Sequence, residues 1–278
     1  MKWIKFVVKE ELELVDYLLK YSDYSRNKIK SLIKYNKILI NKSNKIKLPY
    51  KLYIDDLIEI NLEIEEKLPF EIIYEDEEIL VVNKPYGLLT IGSLGEKYNT
   101  LYRLVKEYAR KHKFEVFIVH RLDRDTSGIV MFAKNERIKL LYQNNWNELA
   151  LKRGYITVVH GTILSDGRID NLLFEEDNTF VHSSRIGKRA ITNYRVLKSN
   201  KKYTMLDIDI ETGRKNQIRV HMKEIGHPVV GDKKYGEKSD PIKRMALHSY
   251  ELKIKHPINN NVLTFTCDYP NIFNKLVK

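Results

Sequence analysis

The chain has 278 residues, 43% of them hydrophobic, and 49 Lys and Arg against 37 Asp and Glu, for a formal net charge of +12. That length accommodates one large domain or a catalytic domain with a small appendage, and the apolar content excludes a disordered chain. The single cysteine, Cys267, excludes an intrachain disulfide, and the apolar runs of the opening MKWIKFVVKEELEL are too short and too charged for a signal peptide or membrane span. The expectation is a cytoplasmic, monomeric protein with no membrane partner.

The excess positive charge points to a polyanion, and its distribution sharpens the point. Between 20 and 47 lie Lys20, Arg26, Lys28, Lys30, Lys34, Lys37, Lys42, Lys45 and Lys47, with Asp23 the lone acid. Between 55 and 78 the balance inverts, with acids from Asp55 to Glu78 set against Lys67 alone. Uniform compositional bias does not produce a basic module followed by an acidic connector.

In chain order, Leu12, Leu14, Val15, Leu18 and Leu19 predict a helix over 10–21. Ser25 is placed to cap a second helix, RNKIKSLIKY, whose Ile29, Leu32 and Ile33 form an inward stripe. On another face Arg26, Lys30 and Lys34 stack at successive turns, and Asn36 suits a left-handed cap. Strands KILIN and LIEINLEI complete a unit of a size that can fold alone. The segments SRNKIKSLIKYNKILIN and DDLIEI resemble the S-four type RNA-binding domain, with Asn36 and Asp55 where that family carries glycine. The resemblance implies RNA contacts from Arg26, Lys30 and Lys34; the plainer reading of such a basic face is that it is solvated. The domain boundaries expected are 1–66 for this module and 67–278 for the rest.

Beyond residue 70 the pattern becomes short strands with turn signals. Candidate strands are EIIYEDEEILVVNKP, EVFIVHRLD, GIVMFAKN, RGYITVVHGTI, RAITNYRVLK, YTMLDIDIETG and LTFTCDYP. Helices fit NTLYRLVKEYARKHK, ERIKLLYQNNWNELA and NQIRVHMKEIG. Strands in hairpin-like succession predict an α+β class, with a mixed, largely antiparallel sheet in the large domain and a helix-rich α/β module before it.

Polar chemistry concentrates in VHRLDRDTSGIVMFAKN, residues 119–135. An aspartate ending a strand before a Thr-Ser-Gly turn can project its carboxylate into a cleft, where Arg121 and Arg124 would favour the ionised form. It could then serve as nucleophile or general base. The alternative is a salt-bridged turn, and residue types alone leave both readings open. In ETGRKNQIRVHMKEIGHPVVGDKKYG, residues 211–236, Arg214, Arg219 and Lys223 suit phosphate or carboxylate partners. Tyr155 lies in an apolar strand, where tyrosine is ordinarily core. The histidines lack metal-ligand spacing, GSLGEKYNT lacks the Lys-Ser/Thr pair of a phosphate loop, and Ser127 lacks the serine-hydrolase elbow.

Together these stretches resemble the RluA family of RNA pseudouridine synthases, whose hallmark HRLDxxTSG reads HRLDRDTSG at 120–128. Further blocks follow in order: VVNKPYGLL, RGYITVVHG, GKRAITNYRVL, the 211–236 stretch and RMALHSYELKIKHP. Two positions depart from the family. Lys215 and Asn216 stand where it carries Thr-His, and Thr90 and Ile91 where a histidine follows NKPxG. The resemblance implies a pseudouridine synthase fold and isomerisation of uridine in structured RNA, with the target base flipped out of its stack. It implies Asp123 as the essential carboxylate, attacking the ribose or removing a proton from it. Arg219 would pair with Asp123, Tyr155 would stack on the base, and Arg121 would hold the phosphate or fill the gap left by the base. Arg214 is a further substrate contact, and Asp125 is structural. No metal or organic cofactor is implied, because the reaction is neither redox nor hydrolysis. The companion module makes large-subunit rRNA the expected partner over tRNA. A non-catalytic RNA chaperone on the same fold and a uracil-releasing glycosylase are the rival readings.

Overall fold

The structure, a computed structural model, describes residues 3–34, 36–61, 68–92, 95–96, 98–176, 180–236 and 240–278. The side chain of Lys34, and the expected strand residues beyond Asn61, lie outside the described residues. The chain divides into two units, Met1–Leu68 and Pro69–Lys278.

The first unit runs β1 (Trp3–Val7), α1 (Leu14–Tyr21), α2 (Arg26–Lys34), β2 (Ile38–Ile40) and β3 (Leu57–Asn61). Its antiparallel sheet has the order β1-β3-β2. Leu14, Leu18, Ile29, Leu32, Ile38, Ile58 and Ile60 are buried in its core. α1 begins at Leu14 rather than at residue 10 because residues 12 and 13 are extended: Glu13 bridges Lys51, Leu52 donates to the Leu12 carbonyl and Leu14 to that of Tyr50. β1 escapes the sequence pattern because only part of its alternation is apolar; its Lys5 pairs across the ladder with Glu59 at 2.8 Å. α2 is closed as its residues predict. The Ser25 hydroxyl accepts from the Lys28 N–H at 3.3 Å. Past its end Asn36 is left-handed at φ 53°, and Lys37 and Asn36 donate to the carbonyls of Leu32 and Ile33 at 2.8 and 3.0 Å.

The second unit opens with a hairpin of β4 (Glu71–Glu75) and β5 (Ile79–Lys84), followed by α3 (Leu101–Lys111) and the short β6 (Phe117–Ile118). Next come β7 (Ser127–Ala133), α4 (Glu136–Asn144), α5 (Trp146–Leu149) and β8 (Ala150–His160). β9 (Gly167–Glu176), β10 (Phe180–Ser183), β11 (Lys188–Ser199) and β12 (Tyr203–Ile210) form an antiparallel run. The chain finishes with α6 (Gln217–Glu224), β13 (Leu247–Lys255), β14 (Val262–Thr266) and α7 (Ile272–Leu276). One sheet of 11 strands has the order β10-β9-β11-β12-β8-β13-β7-β5-β4, with β14 on β13 and β6 on β7. Every pairing is antiparallel except β13 with β7, where His248 faces Ser127 and Ser249 faces Gly128. This is the expected α+β class with a mixed, largely antiparallel sheet.

The stretch 71–85 is two strands because the Asp76 carboxylate accepts from the backbone N–H groups of Glu78 and Ile79, each at 2.8 Å. Gly128, at φ 114°, is where β7 presses closest on β13: a Cβ there would stand 2.1 Å from the Ser249 carbonyl oxygen. One expectation fails at the feature that matters most. Only Phe117 and Ile118 of EVFIVHRLD are strand, and Asp123 sits in the irregular segment between β6 and β7, not at a strand end. The polar run 120–125 makes no ladder because its backbone is held by other partners.

Candidate active site

Those partners come from the end of β5 and the loop after it. The Thr90 hydroxyl, fully buried, donates to the Leu122 carbonyl at 2.7 Å and accepts from the Leu122 N–H at 3.1 Å. On the other side of Asp123, the Arg124 carbonyl accepts from the Lys84 ammonium and the Gly87 N–H, both at 3.1 Å. Lys84 is fully buried and also donates to the carbonyls of Leu88 (2.7 Å) and Pro85 (3.2 Å). Burial pushes its pKa down to about 7 against the pull of the Asp123 and Asp125 carboxylates. Both neighbours of Asp123 are thus clamped, and the Thr126 N–H closes the turn onto the Asp123 carbonyl at 3.2 Å. Residue types alone do not single out Lys84, which lies inside the block VVNKPYGLL, or Thr90, which follows it as a departure from the family pattern; their role in holding the loop becomes visible only in three dimensions.

Across from this loop stands Arg219, in the first turn of α6. Its Nη1 donates to Asp123 Oδ2 at 3.2 Å and to Asn216 Oδ1 at 2.8 Å. Its Nε and Nη2 grip both carboxylate oxygens of Asp232 at 2.7 and 2.8 Å, a bidentate geometry that fixes the guanidinium plane. Asp232 is fully buried and accepts the Lys234 and Tyr235 backbone N–H groups. Burial alone would lower the Arg219 pKa and raise that of Asp232; their mutual pairing outweighs it and shifts each toward its charged form. The guanidinium also lies over the Tyr235 ring at 5.0 Å. Asp123 is therefore held through one oxygen by an arginine that is itself locked in place, and its Oδ1 has no hydrogen-bond partner among the described residues.

Asp123, Arg219 and Tyr155 line a single cavity of about 330 Å³, together with Arg121 and the 213–218 turn. Tyr155 enters from β8, between Ile208 of β12 and Ser249 of β13. Burial pushes its hydroxyl up to about 12, so the ring is a neutral phenol at neutral pH. Arg121 is exposed at the rim and forms no ion pair with a described residue. Arg214 also lines the cavity, with its Nε on the Arg189 carbonyl at 2.9 Å. Lys223, which the sequence grouped with these cations, instead lies over the Phe180 ring at 5.5 Å. Arg124 turns away from Asp123, to Glu96 at 3.2 Å and the Gly87 carbonyl. Among the described residues no ion pair closes within the turn, since Arg124 goes to Glu96 and Asp123 to Arg219, so the salt-bridged-turn reading fails.

The two departures from the family pattern have structural occupations. Thr90 clamps Leu122, as above. Lys215 pairs with Glu175, and Asn216, left-handed at φ 54°, braces Arg219 and donates to the Tyr235 hydroxyl at 3.2 Å. Gln217 ties the start of α6 to β11 through the Ile191 carbonyl and the Thr192 hydroxyl, each at 2.9 Å.

A model of the RNA pseudouridylate synthase family matches residues 78–224. The chain belongs to that family, on its RluA branch. Among its relatives is ribosomal large subunit pseudouridine synthase D of Pasteurella multocida, 32% identical over 289 residues, covering 93% of this chain and 87% of that protein. The uncharacterized RNA pseudouridine synthase YlyB of Bacillus subtilis is 32% identical over 273 residues, covering 92% and 90%. The solved structure of human RNA pseudouridylate synthase domain containing 1 aligns at a TM-score of 0.62 with 24% identity, over 75% of this chain and 86% of that one, a likeness of fold. This RNA pseudouridine synthase is an isomerase acting on RNA, and no helix among its described residues is long and apolar enough to cross a membrane.

Two buried histidines beside the site set a pH limit on this pseudouridine synthase. His221 Nδ1 meets the Thr192 hydroxyl at 2.9 Å, and His248 Nδ1 meets the Ser127 hydroxyl at 2.8 Å. Burial pushes both down to about 4. Above the ordinary histidine pKa of about 6.5 folded and unfolded chains are alike at these positions; between there and 4 the unfolded chain takes up protons that the folded one refuses. Stability is therefore fully present above about 6.5 and falls as pH drops toward 4, by up to about 3 kcal/mol per histidine. Urea midpoints measured at pH 7.5 and 4.5 should fall accordingly, and a midpoint that holds steady across that range would contradict the assignment of neutral buried imidazoles.

Proposed function

We propose that this enzyme converts specific uridines of large-subunit ribosomal RNA to pseudouridine, with Asp123 as the reactive carboxylate. The observation that carries the reading is the convergence on one cavity of a carboxylate held by Arg219 through Oδ2, with Oδ1 open, and the half-buried neutral ring of Tyr155. The bond from N1 of uracil to the ribose breaks, the base turns, and carbon 5 takes its place on the ribose while releasing its proton. In this reading Asp123 acts on the ribose, Arg219 orients it, and Tyr155 stacks on the flipped base, whose extraction from paired RNA costs a few kcal/mol and favours loop targets. Arg121 and Arg214 hold phosphates at the rim. The choice of ribosomal RNA follows the name of the relatives, ribosomal large subunit pseudouridine synthase D. The enzyme is proposed to work as a cytoplasmic monomer without a membrane partner.

The test uses ribosomal RNA and tRNA from a strain lacking the gene, incubated with the protein and mapped by carbodiimide labelling of pseudouridine. New label in large-subunit RNA is the expected result. Label confined to tRNA would overturn the choice of substrate, and free uracil would identify a glycosylase instead.

We further propose that residues 1–66 form an S-four type RNA-binding domain, with 67–278 catalytic. Support comes from the capped basic helix α2, on which Lys30 is exposed without an ion pair to a described residue, whereas Arg26 meets Asp16 at 3.1 Å with both side chains more than half exposed. Exposed pairs of this kind exchange readily for phosphate. Reversing Arg26, Lys30 and Lys34 to glutamate is expected to weaken RNA binding and lower the slope of log affinity against log salt by up to about 3. Unchanged affinity in a filter-binding salt titration would assign the face to solvent.

A further inference from the structure

The catalytic cavity does not end at the 213–215 turn. On the far side of Gly213, Arg214 and Lys215 a second cavity of about 570 Å³ opens, sharing those three residues with the first. Its remaining walls come from β9, the start of β10 and the approach to β11. This volume falls in the range of about 300–1,000 Å³ typical of small-molecule sites.

Its lining is of two kinds. Leu173 and Val181 are buried and form an apolar floor, while Ile186 and Phe174 are 68% and 38% exposed, large apolar groups left in water at its mouth. Phe174 stands edge-on to His182 with ring centroids 5.9 Å apart, which steadies it as a surface for another ring. The rim is cationic. Lys188 is exposed and makes no ion pair with a described residue, and Arg214 spends only its Nε, on the Arg189 carbonyl at 2.9 Å. The one carboxylate among the described lining residues, Glu175, is neutralised by Lys215. An apolar ring-bearing surface edged by cations that no described carboxylate pairs with is the arrangement that takes a single-stranded nucleotide, base on the aromatic face and phosphate on the cations.

We propose that this second cavity binds an unpaired nucleotide flanking the target uridine, with Phe174 and Ile186 receiving its base and Lys188 and Arg214 its phosphate. The proposal rests on the placement of the target uridine in the Asp123 cavity. Because the two cavities share a wall, a base seated in the second fixes the register of the RNA in the first. The neighbour's identity and its freedom from pairing thereby enter target choice.

The test is a coupling experiment. A hairpin transcript carrying the uridine that the full-length wild-type protein modifies is prepared intact, and again with each nucleotide on either side of that uridine replaced singly by an abasic riboside. The enzymes are the wild type and Phe174→Ala/Lys188→Ala, both substitutions lying at exposed positions, with thermal melting confirming that the variant is folded. At one flanking position the abasic change should lower wild-type kcat/KM about tenfold, chiefly through KM. The variant should lose a similar factor on the intact hairpin and less than twofold more on the abasic one, because two changes that remove the same contact do not multiply. Losses that multiply would overturn the proposal, as a purely structural role or a protein occupant would produce them, and so would a wild type indifferent to every abasic position. A wild type that makes no pseudouridine in any RNA would overturn the underlying assignment of the uridine site, an outcome distinct from either of these.

Discussion

Replacing Arg219 with methionine is expected to destabilise the protein by about 3–5 kcal/mol, the usual cost of leaving one member of a buried ion pair uncompensated. Asp232 has no exposed side-chain surface, and both its oxygens accept from Arg219. Methionine fills much of the arginine's volume, so the loss isolates the charge and its hydrogen bonds from a cavity effect. The two N–H groups from Lys234 and Tyr235 remain on Asp232 but cannot neutralise it. Activity should fall as well, since the same guanidinium holds Asp123. Urea unfolding should show a lower midpoint with an unchanged slope, and a loss below about 1 kcal/mol would contradict the reading of Arg219–Asp232 as a buried, mutually dependent pair. Arg219→Lys should not rescue, because a lysine cannot span both oxygens of Asp232 while reaching Asp123.

The second large effect separates chemistry from stability. Asp123→Asn should reduce pseudouridine formation by at least about 10³-fold, a loss typical of removing a reactive group, while changing stability by less than about 1 kcal/mol. The asymmetry follows from exposure. The Asp123 side chain is 26% exposed and meets Arg219 through one oxygen, whereas the Asp232 side chain is wholly buried. An asparagine oxygen can still accept from Arg219, and Arg219 keeps Asp232, so no buried charge is left alone. The two substitutions touch one ion-pair cluster yet should sort cleanly, one losing fold and function and the other function alone.

Some of this was legible in the residues and some was not. The α+β class, the caps of α2 and the positions of β7, β8, β11 and β12 follow from apolar periodicity and turn chemistry, because those segments are packed as their local patterns demand. β1 and β9 were not legible, since edge and solvent-facing strands such as GRIDNLLFEE carry polar residues on both faces. The loop holding Asp123 misled for a different reason. Its apolar lead-in, Phe117 to Val119, reads as strand, but the backbone bonds that would continue it are made instead by Thr90, Lys84 and Gly87, residues 30–40 positions earlier in the chain. No local pattern encodes such a long-range clamp. Asp232 was invisible for the same reason, its significance lying in a partner 13 residues away on α6.

The measurement that bears most directly on the central claim uses RNA whose uridines carry tritium at carbon 5. Forming the new carbon bond to the ribose expels that hydrogen, so each conversion releases one tritium to water. The wild type should release tritium in step with the pseudouridine formed, with no free uracil. Asp123→Asn should bind the same RNA with the same Kd and release none above background. Tritium release by Asp123→Asn at a rate near that of the wild type would contradict the assignment of Asp123 as the reactive carboxylate.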